Sequence, residues 1–232
     1  GYIAEKLGLD APTRAAAERA ALLCKADLVT DLVVEITSLQ GVMGREYALV
    51  AGESAEVAEA IGEHYRPRFA GDKLPQSPAG RIVALADKLD TIVTGLAAGL
   101  AVTGSADPYG LRREGQGIVA LVIDGKIAIP LRMAIELILE KLNSQKVESK
   151  NDAAKAISNS GKLLRERLER ILQEPPPFGK GVRYDIVNAV LTDVAGVLTE
   201  LRDLDFGRIS ERAMALQKLS RRADFLPTVI VA

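Results

Sequence analysis

A chain of 232 residues, 48% hydrophobic and 26% charged, carries enough apolar material for a packed core, which excludes a disordered or low-complexity segment. Its formal net charge of −1 excludes nucleic-acid binding driven by bulk charge, so any RNA contact has to come from local basic clusters. A single cysteine, Cys24, excludes an internal disulfide, and no charge-free apolar run approaches the roughly 20 residues a transmembrane helix needs. Aromatics are only 4% and Ala and Leu dominate, a balance that favours helix over sheet. The opening "GYIAEKLGLD" has neither an initiator Met nor a signal-peptide pattern, and the chain reads as part of a longer protein from a reducing cytoplasm.

The first long helix is expected over residues 12–36, with Asp10 as its cap and Pro12 near its first turn. Leu22, Ala26, Val29 and Val33 form one stripe, and Leu28 and Leu32 fall outside it, so burial on more than one side is expected. A glycine-broken turn, "LQGVMGREYALVAG", leads into a short helix. Ser54 caps the next, over residues 55–65. "RPRFAGDKLPQSP" is a loop, because three prolines and a glycine cannot be continuous helix. Ser77-Pro78 then pairs a cap with a proline at the first helical position, and Ile82, Leu85, Leu89, Ile92, Val93 and Leu96 follow at helical spacing. After the break "VTGSADPYGLRR", Asp107-Pro108 repeats the cap–proline signal. Residues 118–129 also fit a hairpin turning at Asp124-Gly125. From Pro130 to about Gln173 the pattern is helical with a polar patch in the middle, "QEPPPFGKG" is a linker, and residues 184–204 and 210–224 are two more amphipathic helices. The assignment is all-α, with a seam between residues 100 and 130.

Two residues raise a metal-centred possibility. HD-type phosphohydrolases surround divalent ions with an early His, an adjacent His-Asp pair and a distant Asp, so that the metal acidifies a water and clamps phosphate oxygens. Here His64 ends one helix and Asp87 lies in "ALADKLD". The string "ALLCKADLVTDLV" puts Cys24-Lys25 where the His-Asp pair belongs, and Tyr65 stands in the place of a second histidine. Two ligands do not make such a centre, and a lysine ammonium repels a cation. The bland readings are a hydrogen-bonded core histidine for His64, a solvated helix face for Asp87 and a small buried hydrophobe for Cys24. No residue is assigned a catalytic role. The glycine-bearing stretches "GVMGRE" and "TGSADP" lack the Gly-Lys-Ser/Thr ending of a phosphate loop.

The basic residues suggest more. Arg66, Arg68 and Lys73 cluster in the proline-glycine loop with Tyr65 and Phe69 interleaved, Arg112-Arg113 follows a helix start, and Arg221-Arg222 lies near the end. Arginines on a loop with interleaved aromatics suit RNA backbone contact and base stacking, set against ordinary solvated charge.

"KADLVTDLV", "LQGVMGREYA", "EHYRPRFAGDKLP", "GRIVALADKLDTI" and "TGSADPYGLRR", in this order and spacing, resemble the β subunit of bacterial-type glycyl-tRNA synthetase, and "YDIVNAVL" and "RAMALQKL" fit its later portion. The resemblance implies an HD-like helical domain over residues 1–104 whose His-Asp pair is lost, leaving Cys24, Lys25, His64 and Asp87 as vestigial positions without metal. A helical body follows over residues 105–232, leading toward an anticodon-binding domain outside the chain. It further implies a noncatalytic part of a glycine–tRNA ligase that engages tRNA(Gly) and helps hold the holoenzyme together. ATP and Mg would then be used on the α subunit, with no cofactor in this chain. The implied partners are tRNA(Gly) and the α subunit, not DNA or membrane, in the cytoplasm. The RNA-binding candidates remain those read from the basic clusters, Arg66, Arg68, Lys73, Arg112 and Arg113. The alternatives are a metal-dependent phosphohydrolase and a pure scaffold.

Overall fold

The computed structural model describes all residues except 101–106, 108, 128, 147–148, 177–178, 193–204 and 222–232. The described residues form eleven α-helices and no strand, the all-α architecture expected. Helix α1 is Tyr2–Lys6 and α2 is Ala11–Leu23. Asp10 caps α2 by accepting from Thr13 N at 2.9 Å.

The expected helix over residues 12–36 is broken. Helix α2 ends at Leu23, a 3-10 turn covers Ala26–Val29, and α3 is only Asp31–Glu35. The reason lies at Asp27, which is 1% exposed. Its Oδ2 accepts from Gly41 N at 2.6 Å and Gly44 N at 3.1 Å, so it caps α4, Val42–Val50, from outside that helix. Thr30 Oγ1 donates to Asp27 O at 2.7 Å, which competes with continued helical bonding.

Helix α5 is Ala55–Glu63, capped by Ser54, and α6 is Pro78–Ala97, capped by Ser77 with Pro78 in its first turn. Both caps match the sequence expectation. Helix α7, Leu111–Ile123, starts later than Asp107-Pro108 suggests: its N-cap is Gly110, at a left-handed φ of 70°. Asp107 contributes its side chain instead, accepting from Arg112 N at 2.9 Å, and Pro108 lies outside the described residues. The hairpin alternative for residues 118–129 fails because Ile118, Val119, Leu121 and Val122 are all buried within α7, which packs against both α6 and α9.

Helices α8, Leu131–Ser144, and α9, Ala153–Gln173, flank the polar patch as expected. Helix α10 is Tyr184–Leu191, and the rest of its expected span, 193–204, lies outside the described residues. Helix α11 is Phe206–Leu219, starting before residue 210 because Asp205 caps it through Arg208 N and Phe206 is buried. The remainder of that expected span, 222–224, is also outside.

Helix α6 is the hub. Ile82, Val83, Ala84 and Leu85 are consecutive and buried, so α6 meets partners around most of its circumference. It packs against α2 and α5 and also against α7, α8 and α9. Full burial of Leu85, Leu89 and Ile92 contributes about 1.5–3 kcal/mol each. One hydrophobic cluster runs from Ile3 to Ala213. The expected division after residue 104 falls among undescribed residues, and the helices flanking it, α6 and α7, pack on each other.

Candidate functional site

The end of α2, the end of α5 and the middle of α6 converge on the Lys25 ammonium. Lys25 Nζ lies 3.0 Å from His64 Nε2, 3.0 Å from Asp87 Oδ2 and 4.0 Å from the centre of the Tyr65 ring. His64 is fully buried, and its Nδ1 donates to Ile61 O at 2.6 Å. That bond fixes the proton on Nδ1 and leaves Nε2 to accept from the ammonium. Burial and then the Lys25 charge push the His64 pKa down to about 4, so the ring is neutral at physiological pH. Burial works against the charge on Lys25, but Asp87 and Tyr65 together hold the lysine above its ordinary value.

Of the four positions matched to HD metal ligands, three therefore meet, and one is a cation. Lys25 does more than repel a metal from nearby: its ammonium occupies the point between the two donors. Asp87 is an ion-pair partner with 22% of its side chain exposed, not a freely solvated carboxylate. The core-histidine reading of His64 stands. Cys24 is buried, burial raises its thiol pKa, and its Sγ donates to Ala21 O at 3.5 Å. Among the described residues no three His, Cys, Asp or Glu side chains are grouped to hold a metal ion. One imidazole and one carboxylate, already joined through an ammonium, do not fit the donor set of a divalent phosphohydrolase centre. Metal analysis of protein purified without chelator is expected to show no stoichiometric Mn, Fe, Ni, Zn or Mg. One tight equivalent, lost on His64→Ala or Asp87→Ala, would overturn this.

The loop after His64 is held at both ends. Glu63 is 1% exposed. Its Oε1 accepts from Gln76 N at 2.7 Å, and its Oε2 accepts from Ser77 N at 2.9 Å and Ser77 Oγ at 2.8 Å. A Cβ at Gly80 would sit 2.5 Å from Glu63 Oε2 and 2.7 Å from Ser77 Oγ, so any larger residue would displace this network. Inside the loop Asp72 closes a turn, accepting from Arg68 N and Lys73 N at 2.8 Å each. Lys88, 3% exposed, donates to Tyr65 O at 3.2 Å and to Glu114 Oε2 at 2.9 Å, tying the loop's start to α7. Sequence reasoning passes over Glu63, Lys88 and Glu114, because each reads as an ordinary surface charge.

The five basic positions divide. Arg66 NH1 lies 3.6 Å from Glu63 Oε1, so Arg66 also serves the loop's own structure. Arg112 is half-buried, with its backbone N on Asp107. Arg68, Lys73 and Arg113 are exposed, and their side chains form no ion pair among the described residues. Arg113 lines a groove between the loop and α7, together with Phe69, Leu74 and Gln116. The loop aromatics divide too: the Tyr65 ring is engaged by Lys25 and lies 3.8 Å from the His64 ring, whereas Phe69 is 63% exposed. Arg221 is exposed, and Arg222 lies outside the described residues.

Fold and site together define an all-α protein with an ammonium-centred junction and, beside it, a groove between the loop and α7 lined by Arg113 and Phe69. No described helix is long and apolar enough to cross a membrane. A family model described as glycyl-tRNA synthetase beta subunit matches residues 1–192, and the chain belongs to that family. It is 45% identical over 201 residues to the glycine–tRNA ligase beta subunit of Desulforamulus reducens, an alignment covering 85% of this chain and 28% of that one. The Desulfitobacterium hafniense protein of the same name is 40% identical over 225 residues, covering 97% and 31%. That of Halalkalibacterium halodurans is 46% identical over 193 residues, covering 82% and 26%. The chain thus spans less than a third of the length of these relatives.

Proposed function

We propose that this chain acts as a noncatalytic, tRNA-engaging part of a cytoplasmic glycine–tRNA ligase, with aminoacylation and its ATP and Mg on a separate α subunit. Residues 1–104 would be an HD-like domain in which Lys25 has replaced the metal, and residues 105–232 a helical body. The observation that carries the reading is the placement of Arg68, Lys73 and Arg113. Arg68 and Lys73 are exposed on the turn closed by Asp72, the turn whose Phe69 and Leu74 line the groove, and Arg113 lines it from the facing helix. With a net charge of −1, the chain can engage RNA only through such a local patch.

The test is a salt titration of tRNA(Gly) binding. Each phosphate contact contributes a slope of roughly 0.7–0.9 in log K against log salt. Arg68→Ala/Lys73→Ala is expected to weaken binding and reduce the slope by about one to two units. An unchanged slope would mean that these side chains do not meet phosphate, and the scaffold reading would replace this one.

A further inference from the structure

We propose that the groove between the 66–76 loop and α7 receives one unpaired nucleobase of the bound RNA, stacked on Phe69. This rests on the tRNA-engaging reading and adds which feature of the RNA is recognised.

Three observations converge. Phe69 is 63% exposed and lines the groove. The ring stands on a fixed turn. Asp72 N donates to Phe69 O at 3.2 Å, Asp72 accepts from the backbone on both sides of the turn, and Glu63 ties down the end of the loop. A preorganised ring loses little entropy on stacking. The groove beside it has an apolar floor, from Leu74, Ala120 and Ile171, and one amide on its wall, Gln116. That amide makes no hydrogen bond among the described residues, so both its donor and its acceptor are available to a base edge.

Charge decides between occupants. Arg113 lines the groove, and Arg68 and Lys73 stand exposed on the turn whose Phe69, Asp72 and Leu74 line it; of the two lining carboxylates, Asp124 is paired with Lys180 and Asp72 accepts from the backbone N–H groups of Arg68 and Lys73. An apolar slot with one amide and Arg113 in its lining, beside a turn that carries Arg68 and Lys73, is complementary to a base carried on a phosphodiester backbone. Unpaired bases are the part of RNA that proteins read by stacking, because paired bases stay inside the helix.

The experiment measures the affinity of the intact β subunit, in its holoenzyme, for two RNAs: tRNA(Gly) and a blunt, fully paired RNA duplex. Phe69→Leu is expected to weaken tRNA(Gly) binding by about 5- to 150-fold, the range for loss of one base–aromatic stack. Its salt slope should be unchanged and its duplex affinity intact, which also shows that the variant is folded. Phe69→Tyr should restore tRNA binding. If Phe69→Leu leaves tRNA affinity unchanged while Arg68→Ala/Lys73→Ala still lowers the slope, the nucleobase proposal falls and the RNA reading stands. If neither changes anything, both fall. If Phe69→Leu instead detaches the α subunit, the ring is a protein anchor and the proposal is overturned.

Discussion

Glu63→Ala is expected to destabilise the chain by about 3–5 kcal/mol, the cost of leaving several partly buried hydrogen-bond donors without their acceptor. The carboxylate takes three hydrogen bonds, from Gln76 N, Ser77 N and Ser77 Oγ. Removing it leaves two backbone N–H groups and a hydroxyl without their acceptor in a partly buried site, at about 1–3 kcal/mol for each that water cannot reach. Ser77 Oγ also accepts from Gly80 N at 2.9 Å, so the loss reaches the cap of α6, the helix on which α2, α5, α7, α8 and α9 pack. Urea unfolding measures the effect. Glu63→Gln retains one carbonyl acceptor and should cost about half as much. On the tRNA-engaging reading, tRNA affinity should also fall with Glu63→Ala under conditions where the protein is still folded, because the turn carrying Arg68, Phe69 and Lys73 loses its anchor. A loss below about 1 kcal/mol would show that water replaces the carboxylate without penalty, and the loop would then not be held as described.

That network explains which parts of the structure the sequence can reveal. The caps at Asp10, Ser54 and Ser77 were legible because cap and helix are contiguous, and each side chain bonds an N–H three residues on. The hub helix was legible from apolar spacing alone. The break after Leu23 was not, because its cause is a contact between Asp27 and backbone 14 and 17 residues away. Leu28 and Leu32, read as a second buried side, are exposed at 39% and 38%, and Leu22 and Val29 of the expected stripe are exposed too. The start of α7 was misplaced for a similar reason: Asp107 bonds Arg112 N, five residues on, across a left-handed glycine. At the site, the substitution of Cys24-Lys25 for His-Asp could be read directly. That the ammonium itself would join His64 to Asp87 could not, since it depends on three helices meeting. Lys88 looked solvated because "ADKLD" is dense in charge, yet it is 3% exposed, and its partner Glu114 is 26 residues away.

The stability of the chain should fall between pH 6.5 and pH 4 through its single histidine. In the folded protein the His64 pKa is lowered from 6.5 to about 4, first by burial and then by repulsion from Lys25; the bond to Ile61 O and the charges of Asp87 and Asp27 act weakly in the opposite direction. The unfolded chain therefore binds more protons than the folded one throughout this window, and stability rises with pH there. The contribution is fully present above pH 6.5 and lost as pH falls toward 4, on the order of 3 kcal/mol at 1.36 kcal/mol per pH unit. Carboxylates titrate in the lower part of the same window, so the measurement is a difference: urea unfolding at pH 7 and at pH 4.5 for the wild type and for His64→Gln. The variant should be less stable than the wild type at pH 7, because Lys25 and Ile61 O lose their partner, but it should lose less stability on acidification. Parallel losses would exclude His64 as the group responsible. Lys25→Met separates the two causes. It removes the repulsion but leaves the ring buried, so the histidine pKa should rise only part of the way toward 6.5, and the acid loss should shrink without disappearing. A variant that loses as much as the wild type would mean that burial alone holds the ring neutral and that the ammonium 3.0 Å away contributes hydrogen bonding but little field.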